Sequence, residues 1–271
     1  SVHLGNDSKA RSTLITALPQ KVRGRGGPNP ITKALSAGLG DDKKEESRDK
    51  LIGKTKELIE HGLKLPLSAV NVLISKDRLA SFEESLKKHP LDKTTLNHAL
   101  TYAIYTNKAS SIEILLNLGA DPNSKYQKDK KIPDSAIADE HTHTNDRALH
   151  LVIRKLRANQ LRETSEKWPS EIKKEEKTNL EATFSKLANH KKTGLDETNS
   201  DDLTAINLAA DIVKNQRTRS NLNNPDPISK IQQIKDANTL FDTIIGKFAG
   251  KEIDVNKKDK KYITRNDFWR N

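Results

Sequence analysis

Cysteine is absent from this 271-residue chain, which excludes disulfides, cysteine-ligated zinc, iron–sulfur clusters and thiol nucleophiles. A cysteine-free composition fits a reducing compartment. Methionine is absent too, and the chain opens on Ser1. That fits a processed start, or a chain written without modified methionines, in which case helical spacings run short by a residue. Aromatics make up 4 % of residues, too few for the stacking platforms of sequence-independent single-strand readers. The longest apolar run, around Leu73-Ile74, falls far short of the roughly 20 residues a bilayer requires. Residues 1–20 lack the continuous apolar stretch of a secretory signal peptide.

Charge is what the chain has in plenty. Charged residues reach 31 % against 33 % apolar, and 48 Lys and Arg face 37 Asp and Glu, a net +11. Basic clusters occur at Lys125, Lys128, Lys130 and Lys131, at Arg154, Lys155, Arg157 and Arg162, and at Lys257, Lys258, Lys260 and Lys261. Such groups could serve phosphate contacts. Acidic residues are interleaved, as at Asp41, Asp42, Glu45 and Glu46 and at Glu171, Glu175 and Glu176. The favoured reading is a lysine-rich solvated surface suited to acidic protein partners, with nucleic acid second.

Internal repetition is the informative signal. Thr94-Thr95-Leu96-Asn97-His98-Ala99 opens a helical stretch that closes on Leu115-Leu116-Asn117-Leu118-Gly119-Ala120-Asp121-Pro122-Asn123. Leu96, Ala99 and Leu100 share one helical stripe, and Ile112, Leu115 and Leu116 share another. Thr94 is placed to cap the first helix with its hydroxyl. Gly119 stands where a helix ends in a left-handed residue. Weaker copies flank this unit. Leu65-Pro66-Leu67-Ser68-Ala69-Val70 is one opening, with Leu79, Phe82 and Leu86 as its second stripe. Arg147-Ala148-Leu149-His150-Leu151-Val152 is another, with Leu180, Phe184 and Leu187. Thr204-Ala205-Ile206-Asn207-Leu208-Ala209 is the last, with Leu240, Phe241, Ile244, Ile245 and Phe248, and it closes on Ile253-Asp254-Val255-Asn256.

These units resemble ankyrin repeats, whose signature opens Thr-Pro-Leu-His-x-Ala and closes Leu-Leu-x-x-Gly-Ala-Asp-x-Asn. The resemblance implies an all-α ankyrin-repeat solenoid of about four degenerate repeats, with long loop insertions and an N-terminal helical cap. Residues 1–46, with Gly24, Gly26, Gly27, Pro28 and Pro30, read as a loosely ordered segment. Residues 47–64 read as the capping helix, with Leu51, Ile52, Leu58 and Ile59. Residues 65–271 form the repeat domain, with repeats near 65–91, 92–123, 145–195 and 202–256 and a partial one at 257–271. The intervals Leu67 to Leu96, Leu96 to Leu149 and Leu149 to Ile206 are 29, 53 and 57 residues, against about 33 for an undisturbed array. The excess is expected in polar loops at 124–144, 159–178 and 216–230.

No constellation of residues rises to a catalytic, cofactor or metal assignment. His141-Thr142-His143 with Asp139, Glu140 and Asp146 is the densest set of potential ligands, but it lies on a polar loop where a metal would lack rigid support. Arg23-Gly24-Arg25-Gly26-Gly27 lacks the Gly-Lys-Ser/Thr ending of a phosphate loop. No Gly-x-Ser-x-Gly turn is present, nor is a Fic-type His-Pro-Phe motif. His150 occupies the ankyrin histidine position, which implies a structural hydrogen bond to the backbone of a neighbouring turn. His98, one place further along than that position, is a contact candidate.

What the resemblance implies functionally is a protein-binding scaffold that uses its concave face. The exposed inner-helix positions are His98, Thr101 and Tyr102, then Arg154 and Lys155, then Asp211 and Ile212. Tyr102 and Arg154 are the expected anchors, because Tyr and Arg are enriched at interface hot spots. A Lys-, Asn- and Ile-rich ankyrin chain with large insertions is similar in style to the ankyrin-bearing effectors of intracellular bacteria. That similarity implies a host protein as partner, and a location in the cytoplasm or in a host cytosol reached without a Sec signal. The competing readings are a basic nucleic-acid binder and the binding part of a larger enzyme.

Overall fold

The computed structural model describes residues 29–125, 146–163, 170–199, 201–220 and 227–249. These residues are all-helical, with no strand among them. In chain order the helices are α1 (Pro30–Gly38), α2 (Glu45–Glu60), α3 (Leu67–Ser75), α4 (Glu83–Lys88, entered through a 3₁₀ turn at Leu79–Phe82), α5 (Lys93–Tyr105), α6 (Ala109–Asn117), α7 (Ala148–Glu163), α8 (Ser170–Asn189), α9 (Ala205–Ser220) and α10 (Pro227–Phe248).

The odd-numbered helices form one layer, in which α1 packs on α3, α3 on α5, α5 on α7 and α7 on α9. The even-numbered helices run beside them: α2 packs on α4, the 3₁₀ turn on α6, α6 on α8, and α8 on α10. Each odd helix also packs on the helix or 3₁₀ turn that follows it. The core lies between the layers and includes Leu35, Val70, Leu73, Phe82, Leu100, Ile112, Leu115, Val152, Leu180, Phe184 and Ile244. Ala99 and Ala103 are fully buried where α5 meets its neighbours, and their small side chains permit that approach. Phe184 and Phe248 meet edge to face at 5.7 Å, tying α8 to α10.

Local chemistry explains where the helices begin and end. Within the span expected to be loosely ordered, α1 is a helix with Leu35 fully buried. Pro30 sits in its first turn, where a missing N–H costs nothing, and the Asn29 carboxamide accepts from the Ile31 amide at 3.0 Å. Pro30, which suggests a loop, is here with Asn29 the signal of a helix start. For α5, Asp92 replaces the expected Thr94 as cap. Its carboxylate accepts from the Thr95 amide at 2.8 Å and the Thr95 hydroxyl at 2.7 Å. The helix begins at Lys93, one residue before Thr94, and a carboxylate is the stronger acceptor at the positive end of a helix. In the last opening, Thr204 does cap, accepting from the Asn207 amide at 3.2 Å.

Four helix ends share one turn. Gly62, Asp77, Asn107 and Gly119 have positive φ of 91, 53, 59 and 101°. After each, the chain reverses through a pair of backbone bonds, such as Gly119 to the Leu116 carbonyl and Ala120 to the Leu115 carbonyl. Glycine ends the even helices α2 and α6, while Asp or Asn ends the odd helices α3 and α5.

Two of the expected insert loops are shorter than the spacing predicts. Residues 159–163 and 170–178 belong to α7 and α8, and residues 216–220 and 227–230 belong to α9 and α10. Lys, Glu, Gln and Arg dominate these segments, and they are strong helix formers even without an apolar stripe. The long intervals between the matched openings are thus partly helix: α7 to α10 run 16 to 22 residues, against 13 or fewer in α3 to α6. Loop 126–144, residues 1–28 and the final unit, including Ile253 to Asn256, lie outside the described residues.

Candidate functional site

The seven inner-helix residues fall on three successive helices of one layer. His98, Thr101 and Tyr102 lie on α5, Arg154 and Lys155 on α7, and Asp211 and Ile212 on α9. Their surroundings differ. Tyr102 is half-buried, and burial holds its phenol above the usual tyrosine range, opposed by a hydrogen bond with the Ser75 side chain. His98 and Asp211 are half-buried, and Ile212 is half-buried against the core. Thr101 is buried and donates back to the Asn97 carbonyl at 3.1 Å, the usual recourse of a helical threonine. Lys155 donates to the Tyr105 carbonyl at 2.6 Å and lies 5.8 Å from that ring's centre.

Arg154 has little left over for a partner. Its side chain is only 12 % exposed, and its Nε donates to the fully buried Asp146 carboxylate at 2.6 Å. Its other arm reaches Asp201 at 3.7 Å. The second Asp146 oxygen accepts from the Asn199 carboxamide at 2.8 Å. Asn199 in turn accepts from the amides of Asp201 and Leu203, at 2.9 and 3.1 Å, which shapes the turn before α9. A buried carboxylate needs such pairing to stay charged. Arg147 extends the network by donating to the carbonyls of Thr198, at 2.8 Å, and Asn123, and by pairing with Glu197 at 2.8 Å. Asp146, grouped by sequence with the His141-Thr142-His143 ligands, therefore serves α7 and the turn before α9.

His150 makes the expected structural bond, its Nε2–H donating to the Leu203 carbonyl at 2.8 Å. Burial pushes its pKa down to about 4. A carbonyl can only accept, so Nε2 carries the proton and Nδ1 is bare, with no hydrogen-bond partner among the described residues. The α5–α6 pair has an equivalent bond. Asn97, not His98, occupies the histidine slot after Leu96, and its carboxamide oxygen accepts from the Asp121 amide at 2.8 Å. In both units, the residue after the opening leucine fastens the backbone of the turn that ends the unit or begins the next.

The network around Asp146 was not legible in the sequence, because its members stand 8 to 53 residues apart with no shared spacing. The slot shared by Asn97 and His150 was the one available signal. Asp139 to His143, Arg23 to Gly27, Lys128 to Lys131 and Lys257 to Lys261 lie outside the described residues. Among the described residues, no group of three or more His, Asp or Glu side chains is placed to hold a metal, and no helix is long and apolar enough to cross a membrane. Comparison with protein-family models, curated proteins and solved structures gives no match to this chain.

Proposed function

We propose that this protein is an ankyrin-like scaffold that grips another protein across α5, α7 and α9. The observation that carries the reading is the shared bond of Asn97 and His150, each 2.8 Å from the backbone of a following turn. That bond recurs at the slot the ankyrin resemblance predicts, and it accompanies helix pairs that pack side by side in sequence order. Such an array offers an extended surface across several units, with no single pocket at its centre.

Tyr102 is the anchor in this reading: it is half-exposed, rigid, and able to offer both a ring and a hydroxyl. His98, Asp211 and Ile212 flank it, and Lys155 supplies positive charge at the centre of the row. Arg154 contributes chiefly by holding α7 and the 199–203 turn in place. The setting we propose is that of a bacterial effector, with a host protein of acidic surface as partner.

The test is affinity capture from host lysate at about 50 and 200 mM salt, with wild type, Tyr102→Ala and the distant exposed-site control Lys235→Ala. A protein retained by wild type and control at both salts, and lost with Tyr102→Ala, supports the proposal. Retention of RNA that collapses at the higher salt favours nucleic-acid binding and overturns it. So does unchanged capture by Tyr102→Ala.

A further inference from the structure

A second surface lies away from the α5–α7–α9 row, between the ends of α2 and α4. It is a groove of about 310 Å³ whose floor is Ile59, Leu63, Leu65, Leu86 and Leu91. Lys64, Lys88 and His89 line its rim, all three exposed, and among the described residues no carboxylate lines it. The left-handed turn at Gly62 swings the chain from α2 over one side of the groove, and Pro90 stiffens the other. From the geometry we infer that this groove docks an acidic peptide segment, with one large apolar side chain of the peptide entering it and flanking carboxylates meeting Lys64 and Lys88.

Two independent features carry this. The first is the state of the cations. Lys64, Lys88 and His89 are the only charged or titratable side chains among the groove's lining residues, and Lys64 and Lys88, like Lys54 and Lys56, make no ion pair among the described residues, although Lys88 stands close enough to Glu84 to lower its carboxyl pKa. Cations at or just beyond a helix C-terminus complement its dipole, which accounts for Lys88 in the last turn of α4 and Lys64 after α2. It does not account for an open apolar groove between them. The second is size. At the low end of ligand clefts, which run from about 300 to 1,000 Å³, the space suits one or two apolar side chains better than a whole cofactor. An apolar anchor ringed by complementary charge is a usual form of peptide recognition.

The experiment uses the full chain and a fluorescein-labelled peptide, Glu-Asp-Leu-Phe-Glu-Asp, read by anisotropy. Saturable binding is expected, weakened at least about tenfold by Lys64→Glu with Lys88→Glu, and equally weakened when Leu-Phe in the peptide becomes Ser-Ser. Tyr102→Ala should leave it unchanged, which separates this groove from the α5–α7–α9 row. Both lysines are exposed, and unchanged far-ultraviolet circular dichroism verifies the fold of the double variant. If it differs, Lys64→Gln with Lys88→Gln takes its place. Equal binding of the Ser-Ser peptide, indifference to the lysine variants, or no saturation by millimolar peptide overturns the proposal. Tighter binding of an oligouridylate of equal charge also overturns it, in favour of nucleic acid.

Discussion

His150 on α7 donates through Nε2 to the carbonyl of Leu203, 2.8 Å away across 53 residues of sequence. This bond joins the α7–α8 pair to the turn that starts α9, and it leaves Nδ1 buried without a hydrogen-bond partner among the described residues. Protonating Nδ1 would place a charge in a site that cannot solvate it.

His150 therefore makes stability depend on pH. Its folded pKa of about 4 lies below the ordinary 6.5, so the unfolded chain binds the extra proton first as pH falls. The contribution is fully present above pH 6.5, falls between 6.5 and 4, and is constant below. Its size is roughly 3 kcal/mol at full extent. Urea melts at pH 7 and pH 4.5 should show a larger loss for wild type than for His150→Gln. Equal losses would mean that folding leaves the His150 pKa at its ordinary value.

Arg154→Ala should be costly to stability, contrary to what an exposed binding residue predicts. It strands the Asp146 carboxylate, which is fully buried, and the expected loss is about 3 to 5 kcal/mol. Adding Asp146→Asn removes the stranded charge and should recover more than half of that loss. Chemical denaturation of the two variants decides it. A single variant as stable as wild type would show that the pair contributes nothing.

Glycine positions should respond with opposite sign. Gly119 has φ of 101°, so Gly119→Ala should cost about 1 to 2 kcal/mol although a Cβ meets nothing within 4 Å. Gly53 and Gly246 lie inside α2 and α10, also with open space around them. Alanine at either should stabilise by about 0.5 to 1 kcal/mol. Thermal melts of the three single variants give the signs directly.

Tyr102→Ala should lower partner affinity at least about tenfold, while Tyr102→Phe retains most of it if the ring supplies the contact. The ring is half-buried against the core, so the alanine variant should also lose about 1 to 2 kcal/mol of stability. Affinity restored by Phe but not by Leu would assign the contact to the aromatic face. If Phe and Ala lose affinity alike, the hydroxyl is the contact.

The positions of the helices were written locally. Leu96, Ala99 and Leu100, Ile112, Leu115 and Leu116, Leu180, Phe184 and Leu187, and Leu240, Ile244 and Phe248 are all buried as their spacing requires, whereas Phe241 and Ile245 of the last stripe are only half-buried. A period of 3.6 residues is visible within a dozen residues, so no distant contact is needed to read it. Helix α1 and the full length of α7 to α10 were missed because their signals are polar: a proline start, an asparagine cap, runs of Lys and Glu.

The fate of individual charges belonged to the tertiary structure alone. Arg154 turns to Asp146, 8 residues before it and itself held by Asn199 53 residues further on, and Asn97 rather than His98 fastens the turn at Asp121, 24 residues later. A helical stripe states which side of a helix avoids water. Which carboxylate or carbonyl waits on that side is settled only when the layers close over it, because burial multiplies the cost of an unmatched polar group.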